Sequence, residues 1–127
     1  MRVLLDTHAF LWWANDDPHL SAAARQAIAA AADACLSIAS CWEIAIKVGR
    51  GRLTLPKPIE RFVPEHLGLN RVELLHIDLE DVARVVSLPC HHRDPFDRML
   101  VAQALNDELT IVSADPIFKK YGVKRIW

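Results

Sequence analysis

The sequence predicts an α/β fold, with a central parallel sheet of four to five short strands and helices on both faces. Two features predict it. Short apolar runs alternate with helix-periodic segments along the chain, as strands joined by crossover helices require. Helix-start residues recur before the periodic segments: Ser21, Asp78 and the pair Asp94-Pro95. The 127 residues, 52% of them hydrophobic, suffice for one core and argue against disorder. Residues 1–127 are read as a single domain.

The elements follow in order. Arg2–Leu5 is an apolar run ending at Asp6-Thr7, a strand leading to a helix start. Residues 10–15 form the first helix, stopped by Asp16-Asp17-Pro18. Residues 21–32 are rich in strong helix formers behind an N-capping Ser21. Residues 35–37 are a short strand. Residues 38–48 are helical, because Ile38, Cys41, Trp42, Ala45 and Val48 share a face. Residues 49–57 are a loop, and 58–67 a helix with proline at its start. A strand at 74–77 precedes a helix at 78–87, with Asp78 as cap and Asp81 three residues on. A helix at 94–106 starts on Asp94-Pro95; a strand at 110–113, a short helix at 116–121 and a strand at 124–126 complete the chain.

Composition excludes several classes. No apolar run approaches the ~20 residues needed to cross a bilayer. Asp6 and His8 interrupt the apolar N-terminal stretch, and no small-residue cleavage site follows it, so a cytoplasmic location is expected. Cys35, Cys41 and Cys90 are odd in number and form no CxxC pair, which argues against a disulfide framework or a zinc site. Each is expected to be a small buried hydrophobe. Fifteen Lys+Arg against sixteen Asp+Glu give a formal charge of −1. No global field favours nucleic acid; such a function would need local basic patches around an acidic site.

In a parallel sheet, ligands bind beyond the carboxyl ends of the strands, near the point where strand order reverses. Asp6 follows the first strand, Asp115 follows the strand at 110–113, and Asp97 lies in the first turn of the helix leading to that strand. Glu43 is the one acid between residues 34 and 59, set mid-helix among apolar neighbours. Each also has a local explanation. Asp6 and Asp94 suit helix caps, Asp97 suits the helix dipole, Asp115 suits a turn before Pro116, and Glu43 suits an i,i+4 pair with Lys47. Two carboxylates ~5 Å apart repel by roughly 3 kcal/mol at an effective dielectric near 20. Clustered acids therefore protonate, spread apart or bind a cation, and hard oxygen donors suit Mg²⁺ or Mn²⁺.

Four segments then resemble a known family: LLDTHAFLWW (4–13), SIASCWEIAIKVGRGRLTL (37–55), LPCHHRDPFDRMLVAQAL (88–105) and TIVSAD (110–115). In this order they are similar to a PIN-domain protein, specifically a VapC-type toxin of a toxin–antitoxin pair. The resemblance implies a PIN-like α/β/α sandwich and a Mg²⁺-dependent endoribonuclease, with Mn²⁺ able to substitute. It implies that Asp6, Glu43, Asp97 and Asp115 form an acidic quartet. Asp6 and Asp97 would be direct ligands; Glu43 and Asp115 would complete the shell directly or through waters. Asp94, Ser113 and Thr7 would support it, Ser113 by bonding a neighbouring carboxylate. The implied partners are RNA, a VapB-type antitoxin and a second copy of the chain, with operator DNA reached only through the antitoxin and no membrane.

Lys47, Arg50, Arg52, Arg93 and Arg98 are candidates for RNA phosphates. His91 and His92 are read as incidental loop residues, lacking the spacing and companions of a zinc site. Phe10, Trp12 and Trp13 crowd one short helix, so at least one is expected to be exposed. Trp127 carries no signal. The alternatives are a non-catalytic antitoxin- or operator-binding module and a metal-dependent DNA nuclease. A dehalogenase-like phosphatase would need an acid where His8 stands, and a receiver domain a lysine soon after Ser113.

Overall fold

The structure is a computed structural model and describes all residues, Met1–Trp127. Five strands form one sheet: β1 (Arg2–Leu5), β2 (Asp33–Ser37), β3 (Val72–Leu75), β4 (Thr110–Val112) and β5 (Arg125–Ile126). The helices are α1 (Thr7–Ala14), α2 (Ala22–Ala30), α3 (Ile38–Gly49), α4 (Ile59–Asn70), α5 (Leu79–Ser87), α6 (Pro95–Asp107) and α7 (Ile117–Lys120). Every strand pairing is parallel, and the order is β3-β2-β1-β4-β5. This is the predicted α/β/α sandwich.

Alternation along β1 explains the layers. Val3 and Leu5 face one side, joining Phe10, Ile28, Ile44 and Phe62 from α1 to α4. Leu4 faces the other, joining Leu100, Val101, Ile111 and Phe118 under α6 and α7. A central strand covered on both faces reads as a continuous apolar run, which is why Val3, Leu4 and Leu5 are all fully buried. Burying one such side chain stabilises by roughly 1.5–3 kcal/mol.

Strand order reverses beside β1, where β2 lies on one side and β4 on the other. The register Leu5↔Leu36 and Leu5↔Val112 brings the ends of β1, β2 and β4 level. The chain leaves β1 at Asp6, whose backbone N–H donates to Val112 O at 3.1 Å.

Some local expectations shift. The first helix starts at Thr7, not residue 10, because extended Asp6 caps it by accepting from Ala9 N–H. The third strand lies at Val72–Leu75, not 74–77. Arg71 adopts a left-handed conformation (φ 54°) that ends α4 and sends buried Val72 into register with Ala34. Cys35 is buried, but Cys90 is exposed on the polar loop before α6, so not all three cysteines are core residues. None of Phe10, Trp12 and Trp13 is fully exposed. Phe10 is core, while Trp12 and Trp13 are half-buried, Trp12 stacking on His19 and packing against Trp127. The exposed aromatic is Trp42 on α3.

Candidate active site

Asp6 is the first functional side chain that the fold positions. Its Oδ1 accepts from Ala9 N at 2.8 Å, so a capping bond orients a nearly buried carboxylate at the end of the central strand. Burial raises its pKa above the ordinary carboxylate value, and the charge of Glu43 adds to that. Hydrogen bonds from the Ser113 hydroxyl and Ala9 N–H, with nearby His8, pull it back. Fully buried Ser113, just past β4, also accepts from Asp115 N at 3.0 Å. Ser113 thus lies between the β1 acid, whose pKa it lowers, and the loop bearing Asp115.

Glu43 reaches the same place from α3. Thr7 Oγ1 donates to Glu43 Oε1 at 2.5 Å, and Lys47 Nζ stands 3.2 Å from the other carboxylate oxygen. The i,i+4 pair of Glu43 with Lys47 is present, and Thr7, next to Asp6, binds the other oxygen of Glu43.

Asp97 sits in the first turn of α6. Asp94 caps that helix, its Oδ1 accepting from Phe96 N at 2.9 Å and Asp97 N at 3.0 Å. With the backbone donors taken by Asp94, the Asp97 carboxylate is released from capping. Burial, with the charges of Asp94 and Asp6 adding to it and His92 opposing, pushes its pKa up to about 6. The mutual repulsion runs from Glu43 to Asp6 and from Asp6 to Asp97, so the three acids share one electrostatic neighbourhood.

Asp115 is the outlying member. It is exposed, and its Oδ1 accepts from Ile117 N at 2.9 Å as an ordinary turn acid would. Only Ser113 ties it to the other three. No three of the carboxylate, histidine or cysteine groups stand at mutual metal-ligating distance. The arrangement is an open acidic edge, not a closed cage.

The basic candidates divide. Lys47, Arg50 and Arg52 line a cavity of about 230 Å³ together with Glu43, Asp94 and Phe96, so cations rim the acids on this side. Arg93 is exposed and lines a different groove, with Trp42, Phe96 and Met99. Arg98 differs: its guanidinium donates to Pro89 O at 2.8 Å and Tyr121 Oη at 3.1 Å, a structural tie and not a free phosphate ligand. His92 is not incidental, since its Nε2 lies 3.2 Å from Asp97 Oδ2 and its Nδ1 lies 2.7 Å from Tyr121 Oη. Adjacency to the DPFD segment was the available signal for His92. Nothing in the sequence pointed to Tyr121, which arrives from the far end of α7.

An acidic edge at the reversal of a five-stranded parallel sheet defines a class of small α/β domains. The chain belongs to the PIN domain family, which it matches over residues 3–124. It is 31% identical to Ribonuclease VapC22 of Mycobacterium tuberculosis, over 89% of this chain and 86% of that protein. In fold it is similar to a chain of the DNA-bound VapBC2 complex of Rickettsia felis, with TM-score 0.74 and 14% identity over 98% of this chain and 97% of that one. It is likewise similar to a chain of DNA-bound VapBC from Salmonella typhimurium, with TM-score 0.70 and 18% identity over 98% and 96% of the two chains.

Proposed function

We propose that this chain is a Mg²⁺- or Mn²⁺-dependent endoribonuclease, the VapC-type toxin of a toxin–antitoxin pair. The observation that carries the reading is the grouping of Asp6, Glu43 and Asp97 about the point where strand order reverses, with burial and then the charge of Asp94 raising the Asp97 carboxyl to about 6. The identity to a ribonuclease supports the substrate class.

The donor set fits the metal. All candidate ligands are carboxylate oxygens, which suit Mg²⁺. Mg²⁺ usually keeps several waters and takes one or two carboxylates together with substrate phosphates, so an open edge suits it better than a closed cage. Asp6 and Asp97 would be its direct ligands, with Glu43 and Asp115 completing the shell directly or through waters. Once bound, the ion supplies Lewis acidity that lowers the pKa of an attacking water and neutralises charge on the leaving oxygen.

The protein's own side chains do the positioning. Thr7 fixes one oxygen of Glu43, Ser113 holds Asp6, and Asp94 takes over the helix cap so that Asp97 is free to bind. Lys47, Arg50 and Arg52 lie beside Glu43 and Asp94, where a phosphate backbone approaching the acids would pass. RNA hydrolysis then needs no nucleophilic side chain.

The partners follow the same reading. A VapB-type antitoxin is proposed because similar folds occur in VapBC complexes. Operator DNA is reached through it, and the pair acts in the cytoplasm. No helix is long and apolar enough to cross a membrane. A homodimer is proposed through the face of α3, α5 and α6. There exposed Trp42 stands beside a groove of about 460 Å³ lined by Val82, Val86, Phe96 and Met99. A two-fold contact requires knob and hole on one surface, and this face carries both.

The decisive experiment incubates purified, antitoxin-free protein with structured RNAs and with DNA, in Mg²⁺, in Mn²⁺ and in EDTA, beside Asp97→Asn. RNA cleavage that needs metal and is lost in the variant is expected. Cleavage of DNA alone would make the chain a DNA nuclease. Absence of any cleavage would leave a binding module.

A further inference from the structure

Tyr121, Arg98 and His92 meet at a single phenolic oxygen, and counting donors there fixes the state of His92. Tyr121 Oη accepts from Arg98 Nη1 at 3.1 Å and from the His92 backbone N–H at 3.3 Å. Those two donors occupy both lone pairs of the oxygen. The hydroxyl proton must then go to an acceptor, and His92 Nδ1 lies 2.7 Å away. A nitrogen that accepts a hydrogen bond carries no proton, so the ring N–H lies on Nε2. That nitrogen is 3.2 Å from Asp97 Oδ2 and donates to it.

The surroundings hold the tautomer in place. Tyr121 is buried. His91 packs edge-on against its ring at 4.8 Å, and the Arg98 guanidinium carbon lies 5.9 Å from the ring centre. Arg98 is itself anchored on Pro89 O. The phenol is therefore fixed in position by groups that never touch the acidic edge.

We propose that His92 is a positioning residue for Asp97, with Tyr121 and Arg98 setting its tautomer. One Asp97 oxygen is occupied by the imidazole N–H, and the other is left for the cation. Groups that bond the outer atoms of a metal ligand in this way typically change metal affinity 10–100-fold when removed. The proposal rests on the reading of Asp97 as a metal ligand.

Two measurements test it, and the first needs no metal. Long-range ¹H–¹⁵N correlation on the metal-free protein near neutral pH reads which ring nitrogen of His92 bears the proton. A proton on Nε2 alone is expected in the wild type, and a mixture of tautomers in Tyr121→Phe. A proton on Nδ1 in the wild type overturns the proposal. The second is Mn²⁺ titration by calorimetry of wild type, His92→Leu and His92→Gln, with melting temperatures in EDTA as a check on folding. Binding at least about tenfold weaker in His92→Leu is expected. His92→Gln should recover most of it, because its amide N–H reaches the position of Nε2. Wild-type binding matched by His92→Leu removes the positioning role and leaves the metal reading intact. Absence of Mn²⁺ binding by the wild type removes the metal reading, and the proposal with it.

Discussion

Two helices on the same side of the chain begin with the same spacing of acids, and they use it in opposite ways. α5 starts Asp78-Leu79-Glu80-Asp81 and α6 starts Asp94-Pro95-Phe96-Asp97. In α5 the second acid turns back. Asp81 Oδ2 accepts from Asp78 N at 2.9 Å, its other oxygen accepts from Asn106 Nδ2 at 3.0 Å, and the side chain is buried. In α6 the first acid takes both backbone donors, and Asp97 turns outward to His92 and toward Asp6. A capping pair is thus a local solution that tertiary surroundings can redirect. Where a neighbour such as Asn106 satisfies the second acid, it is structural. Where other acids face it, it is available for chemistry.

The comparison breaks most visibly in activity. Asp97→Asn is expected to lower RNA cleavage by about 10³-fold, the equivalent of roughly 4 kcal/mol of transition-state stabilisation. Asp81→Asn in folded protein should cleave at nearly the wild-type rate. A single-turnover assay of both variants checks this, and equal losses would mean the two pairs are not different in kind.

Stability should run the other way. Asp81→Ala removes the bond to Asp78 N and leaves Asn106 without its partner, at a cost of about 1–3 kcal/mol in denaturant unfolding. Asp97→Asn should leave metal-free stability unchanged or raise it, because it relieves repulsion from Asp94 and Asp6. A large drop on Asp97→Asn would make that residue structural.

The pH dependence sharpens the same contrast. The folded-state pKa of Asp97, about 6, lies above the ordinary aspartate value of 3.8. Stability tied to its protonated form is fully present below the lower value and is lost as pH rises through the higher one. In EDTA the wild-type melting temperature should therefore fall between about pH 4 and about pH 7 relative to Asp97→Asn. Saturating Mg²⁺ should abolish the difference. Parallel profiles would show that the carboxyl is not held above its ordinary range.

The smallest effect belongs to Asp94. Replacing it with alanine removes the cap of α6 and should cost about 1 kcal/mol. Activity should fall less than in Asp97→Asn. Complete inactivity at unchanged stability would move Asp94 into the catalytic group.

Most of the fold was legible because it rests on local patterns. The apolar run of β1, the N-cap Ser21 and the Asp94-Pro95 start lie where composition puts them. The β3 strand was misplaced by two residues because Arg71 enters a left-handed conformation without the glycine that usually signals it. Asp6, Glu43 and Asp97 were legible as a group only through strand-end placement and family resemblance. Local chemistry explains each acid equally well, as Asp81 illustrates. The pairing of His92 with Tyr121 was not legible: they are 29 residues apart and meet only when α7 packs beside the start of α6. The free cationic role assigned to Arg98 failed for the same reason, since its partners Pro89 and Tyr121 lie on other segments.

The register Val3↔Thr110 has a bearing on when this molecule becomes active. On the ribosome, residue 3 emerges roughly a hundred residues before its neighbour in the sheet. Until β4 arrives, Asp6 N–H lacks Val112 O, and Ser113 is not there to hold the Asp6 carboxylate. A nascent chain stalled before β4 has half a sheet and no assembled acidic edge. Assembly of the acidic edge therefore waits for the last part of the chain to be synthesised.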